Sequence, residues 1–135
     1  MCDTSGLYAY LVASEQRHAE VAAVLAEERG PFVVSPYVVE ELDCLLLDRL
    51  GVDAELTALG ELGSGAWELA QFYAAGLRTA HQIIERYRDQ EIGVADASLV
   101  VLAAQYHTDR ILTLDRRHFS ALRTLGGGAF TILPA

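Results

Sequence analysis

Residues 94–115, VADASLVVLAAQYHTDRILTLD, hold the two features on which the fold reading turns. From Val94 to His107 the chain is apolar nearly all round, as in a helix buried in the middle of a domain. Arg110-Ile111-Leu112-Thr113-Leu114 follows as the clearest strand in the sequence.

The same alternation extends in both directions. Met1 to Asp3 reads as the end of a very short strand, and Thr4 and Ser5 are both good caps for a helix from about Gly6 to Ala13. His18 to Glu28 places Val21, Val24 and Leu25 at helical spacing. Phe32-Val33-Val34-Ser35 is a short β-rich run. Ser35-Pro36 then supplies an N-cap with proline in the first helical position, for a helix reaching Leu50 and ended by Gly51. Asp53 is expected to cap a fourth helix to Leu62. Ala66–Ala70 offers a weak strand, Tyr73–Arg88 a long helix, and Ala129–Leu133 a last strand after the turn Gly126-Gly127-Gly128. Short strands separated by long helices predict one α/β domain over residues 1–135: a three-layer α/β/α sandwich with a central, mainly parallel sheet of four to five short strands.

Composition narrows the chemistry. The 135 residues are 52% hydrophobic and carry a formal charge of −9. No apolar run approaches the ~20 residues of a membrane span, and the N-terminus lacks the features of a secretory signal, so a cytoplasmic protein is expected. Cys2 and Cys44 give neither a disulfide framework nor metal spacing, and are expected to be buried, reduced thiols. Arginine is present and lysine is absent. That excludes a Walker lysine, a Schiff base and a lysine general base. An acidic chain also lacks the basic face of proteins that bind nucleic acid unspecifically, so one that handles RNA needs cations as a bridge to phosphate.

In open parallel sheets ligands gather at the carboxyl ends of the strands. Asp3 closes the first strand, Asp115 follows Thr113-Leu114, and Asp96 lies in the first turn of an otherwise apolar helix. The third helix adds one of two glutamates. Val38, Val39, Leu42, Leu45, Leu46 and Leu50 form its apolar stripe; Glu41 falls at the margin, about 40° from Leu45, whereas Glu40 points to water. Four carboxylates converging on a dry pocket repel one another and raise their pKa values. Mg²⁺ or Mn²⁺, which prefer oxygen ligands, removes that cost and lowers the pKa of a bound water. Scattered, solvated carboxylates are the alternative on spacing alone.

Three stretches together bring a family into view. Cys2-Asp3-Thr4-Ser5 resembles the D-T-S opening of PIN domains. Ser35-Pro36-Tyr37-Val38-Val39-Glu40-Glu41-Leu42-Asp43 resembles the S-P-x-V-x-x-E-L-D helix of bacterial VapC toxins. Gly93-Val94-Ala95-Asp96-Ala97-Ser98, with Ile111 to Phe119, resembles the closing pair of acidic motifs of that family. The resemblance implies a PIN fold and Mg²⁺- or Mn²⁺-dependent cleavage of structured RNA, tRNA or ribosomal RNA, leaving a 3′-hydroxyl and a 5′-phosphate. It also implies inhibition by a VapB-type antitoxin and a homodimer. It assigns the metal-ligand positions to Asp3, Glu41, Asp96 and Asp115, and makes Thr4 and Thr113 hydroxyls that support those carboxylates. Family members carry more apolar residues before the D-T-S, so a clipped first strand and a looser Asp3 are expected here.

The other polar residues read more plainly. Arg116, Arg117 and His118 are either RNA-phosphate contacts or solvated charges on a surface turn. Ser98 is a candidate to cap or touch the site. His18, His81 and His107 lack ligand spacing and read as structural; Trp67 and Tyr73 read as core. An aspartate-nucleophile phosphatase or a receiver module would need acidic residues and a lysine that the chain lacks. The competing reading is a PIN-like module that binds RNA or protein without cutting.

Overall fold

The computed structural model describes all 135 residues. Its elements run α1 (Thr4–Leu11), α2 (His18–Glu27), β1 (Val33–Val34), α3 (Pro36–Leu50), α4 (Val52–Leu62), β2 (Glu68–Leu69), α5 (Ala74–Arg86), a 3₁₀ turn (Arg88–Gln90), α6 (Val94–Gln105), β3 (Arg110–Leu112), α7 (Arg116–Ala121) and β4 (Thr131–Leu133). β1 pairs with β2 and β3 with β4, both parallel. Cys2 joins the two pairs by parallel bridges to Val34 and Leu112. The spatial order is therefore β2, β1, Cys2, β3, β4.

The first strand is reduced to bridges at Cys2, yet it is firmly held. Cys2 N–H donates to the Val33 carbonyl at 2.9 Å, Asp3 N–H to Leu112 at 2.9 Å, and Leu112 N–H to Met1 at 2.8 Å. The chain then turns at once into α1, which lies so close to β3 that a Cβ on Gly6 would stand 2.7 Å from the Leu112 carbonyl oxygen. Neither Thr4 nor Ser5 caps that helix. Asp3 occupies the N-cap position and its side chain is engaged elsewhere.

α6 is the buried centre that its composition requires: Ala97, Leu99, Val100, Val101, Leu102 and Ala103 are all shielded from solvent. α5 packs along it, and α3 contacts α6, α4 and α1. Ser35 caps α3 by accepting the Tyr37 N–H, with Pro36 behind it, and Val38, Leu42 and Leu46 form the buried stripe. Gly51, at φ 91°, ends α3 in the left-handed region that favours glycine.

Four expectations change. Asp53 sits inside the first turn of α4 rather than capping it. Tyr73 is 68% exposed while Trp67 is buried, because Tyr73 marks the start of α5 and Trp67 packs between Tyr10 and Phe32. Cys2 is buried but Cys44 is exposed. The segment after Asp115 is a helix, α7, not a surface turn; Phe119 anchors it in the core, edge-on to Phe130 at 5.9 Å. No helix is long and apolar enough to cross a membrane.

Candidate metal centre

Asp3 is 5% exposed and its carboxylate is built into the carboxyl end of β3. Its Oδ2 accepts from Thr113 Oγ1 at 2.7 Å and from Ser5 Oγ at 2.9 Å. Each hydroxyl in turn accepts a backbone N–H: Leu114 donates to Ser5 Oγ at 2.9 Å and Asp115 to Thr113 Oγ1 at 3.0 Å. Two side chains thus tie the first strand to the turn that carries Asp115. Thr113 and Ser5 are the two hydroxyls on Asp3, while the Thr4 Oγ1 is buried with no hydrogen-bond partner. Sequence reasoning did not single out Ser5; its place two residues beyond the aspartate, where an O–H can reach back to the carboxylate, is the one signal for it.

Asp96 enters from the first turn of α6, with a side chain 17% exposed. Its carboxyl is pushed up from 3.8 to about 6, first by burial and then by repulsion from Asp3; His118 opposes this, and Asp115 and Glu41 add to it. The other three acids therefore act on the space that Asp96 faces. Like charges drawn together out of water raise a carboxyl pKa in this way. Glu41, on α3, is solvent-exposed, and its charge is the weakest of those acting on Asp96.

Asp115 caps α7 by accepting the His118 N–H on Oδ1 at 3.4 Å. The His118 ring returns over the two acids, its Nδ1 3.0 Å from Asp96 Oδ2 and 3.4 Å from Asp115 Oδ2. Sequence reasoning weighed His118 only against RNA phosphate and missed this contact, because the helical turn that folds the ring back was read as an open surface turn.

Ser98 bonds to none of the four acids. It donates to the Ala95 carbonyl at 2.6 Å and shares a 2.7 Å bond with Ser35 Oγ, which clasps the starts of α6 and α3, the helices that carry Asp96 and Glu41. Arg116 is turned to the Pro134 carbonyl at 2.6 Å; Arg117 is exposed. His18 is held by the Ala9 carbonyl through Nδ1, a structural role as expected.

The donor set suits a hard divalent cation, being all carboxylate and hydroxyl oxygen. The raised Asp96 carboxyl indicates that positive charge belongs here. A tighter grouping exists elsewhere: ligand atoms of Glu40, Asp43 and Cys44 lie within 4.8 Å of one another. These residues occupy adjacent turns of α3; Glu40 and Cys44 are exposed, and the Cys44 thiol donates to Glu40 at 3.2 Å. Compactness along one helix face follows from i, i+3, i+4 spacing. Asp43 Oδ1 is buried there without a partner, but Glu40 and Cys44 are exposed, whereas the four acids come from separate elements and include the buried Asp3. An apolar cavity lined by Met1, Val24, Leu25, Phe32 and Arg110 opens at the amino ends of the strands and includes none of the four acids.

Comparisons with known proteins show the family. The family model described as the PIN domain matches residues 1–125. The chain is 57% identical over 132 residues to the ribonuclease VapC26 of Mycobacterium tuberculosis, covering 98% of each chain. Among solved structures it superposes on VapC20 of the same organism, described as a sarcin-ricin-loop-cleaving toxin, with a TM-score of 0.78 and 22% identity over 86% of this chain and 89% of that one.

Proposed function

Because the chain belongs to the PIN-domain family, and within it to the VapC ribonucleases, we propose that it is an endoribonuclease and the toxin of a type II toxin–antitoxin pair. Residues 1–135 act as one PIN domain, in the cytoplasm and as a homodimer, and a VapB-type antitoxin inhibits it. Its substrate is a structured RNA, of the tRNA or ribosomal class, cut to a 3′-hydroxyl and a 5′-phosphate. The relative that cuts the sarcin-ricin loop supports the ribosomal option.

The single observation that supports the reading most is the burial of Asp3 and Asp96 at the carboxyl end of the sheet, where burial and the Asp3 charge push the Asp96 carboxyl up to about 6. Asp3, Glu41, Asp96 and Asp115 would hold Mg²⁺ or Mn²⁺. Bound there, such an ion supplies an activated water and offsets charge on the scissile phosphate. The chain's own residues do the positioning. Ser5 and Thr113 fix one Asp3 oxygen and leave Oδ1 free. The Ser35–Ser98 clasp fixes the helix starts. Arg117, exposed beside Asp115, is a contact for RNA phosphate.

Purified, antitoxin-free protein incubated with total RNA and Mn²⁺ tests the reading. The expected result is a discrete product that Asp96→Asn and EDTA each abolish. Absence of product in wild type and variant alike favours the non-cutting interaction module.

A further inference from the structure

We propose that His118 is a positioning residue of the metal centre: through Nδ1 it holds Asp96 and Asp115, which stand on different elements, in the mutual orientation that receives a divalent cation. The inference rests on the metal-dependent reading above.

Asp115 has little else to fix it. Its side chain is 45% exposed, and its one hydrogen bond, from the His118 N–H, is long at 3.4 Å, near the limit of a useful contact. A carboxylate at the head of a six-residue helix is free to rotate into water unless a second group restrains it. The His118 ring is the second group, and its closer contact is with Asp96. Its Nδ1 stands within ion-pair distance of both carboxylates, 3.0 Å from Asp96 Oδ2 and 3.4 Å from Asp115 Oδ2.

The ring can do this because it is itself fixed. It is 22% exposed, and the next residue, Phe119, is fully buried and packed edge-on to Phe130 at 5.9 Å. α7 is therefore anchored in the core one residue beyond the histidine. Each carboxylate gives up one oxygen to the ring, so that Asp96 Oδ1 is left for a ligand. Hydrogen-bonded partners that orient metal-binding side chains raise metal affinity in this manner, and their loss costs about 10- to 100-fold.

Mn²⁺ affinity, measured by calorimetry on the full chain, tests the assignment with His118→Ala, His118→Asn and His118→Gln. The asparagine amide nitrogen lies two bonds beyond Cβ, as Nδ1 does; the glutamine nitrogen lies one bond further out. His118→Ala is expected to weaken Mn²⁺ binding about 10- to 100-fold, His118→Asn to recover most of it, and His118→Gln to stay weak. Melting in EDTA is followed in parallel. A lower melting temperature in all three variants with unchanged Mn²⁺ affinity makes His118 a packing residue and overturns the inference. So does tighter binding by His118→Ala, or equal rescue by both amides. Wild-type protein that binds no Mn²⁺ overturns this inference together with the metal-dependent reading; wild-type binding with an indifferent His118→Ala overturns this inference alone.

Discussion

Replacing Asp96 by Asn should stabilise the metal-free protein at neutral pH and leave it unchanged in acid. Asp96 stands at about 6 against an ordinary 3.8, mainly through burial and the Asp3 charge. A carboxyl raised on folding contributes full stability below its unfolded pKa and loses it as pH rises through the folded one. Wild-type protein in EDTA should therefore weaken between about pH 4 and pH 7, as the buried carboxyl is forced to ionise. At about 1.4 kcal/mol per pH unit the gap sets a ceiling of about 3 kcal/mol. The side chain is 17% exposed, and local relaxation and water reduce the penalty to about 1–2 kcal/mol. For a chain of this length that is a rise in Tm of about 3–7 °C at pH 7.5. Asn keeps the shape without the charge. Thermal unfolding in EDTA from pH 4 to pH 8 reads the effect, and saturating Mg²⁺ should reverse the order, because only wild type has the full ligand set. A variant that melts at or below wild type at pH 7.5, or a difference independent of pH, would show that the acids do not share a pocket.

Glu41→Gln should reduce RNA cleavage by more than the roughly 10- to 100-fold typical of outer partners, whereas Glu40→Gln should cut as wild type does; equal losses would refute the choice between them. Gly6→Ala should lower Tm sharply, by at least the 1–3 kcal/mol usual for overpacking, since its Cβ meets the backbone of β3 at 2.7 Å; a neutral variant would mean that α1 does not lie on that strand. In native protein a thiol reagent should label Cys44 alone, and slowly, because Glu40 raises its pKa. Cys2, raised to about 11 by burial, should react only on unfolding; fast labelling of two thiols would contradict the burial of the first strand.

Most of the fold was legible because burial and periodicity coincide. α6 is apolar on every side and lies inside on every side, and Ser35-Pro36 and Gly51 mark the two ends of α3 in the sequence as they do in space. The α7 helix was not legible: six residues of mixed charge, Arg116 to Ala121, have no repeating stripe, and only the burial of Phe119 makes them a helix. The site followed the same division. The four acids could be named from strand ends and helix faces, since topology brings strand ends together. Contacts between particular atoms could not. Ser5 and Thr4 are neighbours of similar character, and which hydroxyl turns to Asp3 depends on how α1 leaves the strand. His118 depends on a helix that local pattern did not announce. Cys44 looked internal because its neighbours are leucines, yet the α3 stripe leaves it on the outer face with Glu40.

The central claim is that acids far apart in sequence enclose one divalent cation, and anomalous diffraction from Mn²⁺-soaked crystals tests it most directly. A peak within about 2.0–2.3 Å of carboxylate oxygens from Asp3, Asp96 and Asp115, with Glu41 on the ion or its waters, is the predicted result. A peak at Glu40, Asp43 and Cys44 with none between Asp3 and Asp96 would contradict it.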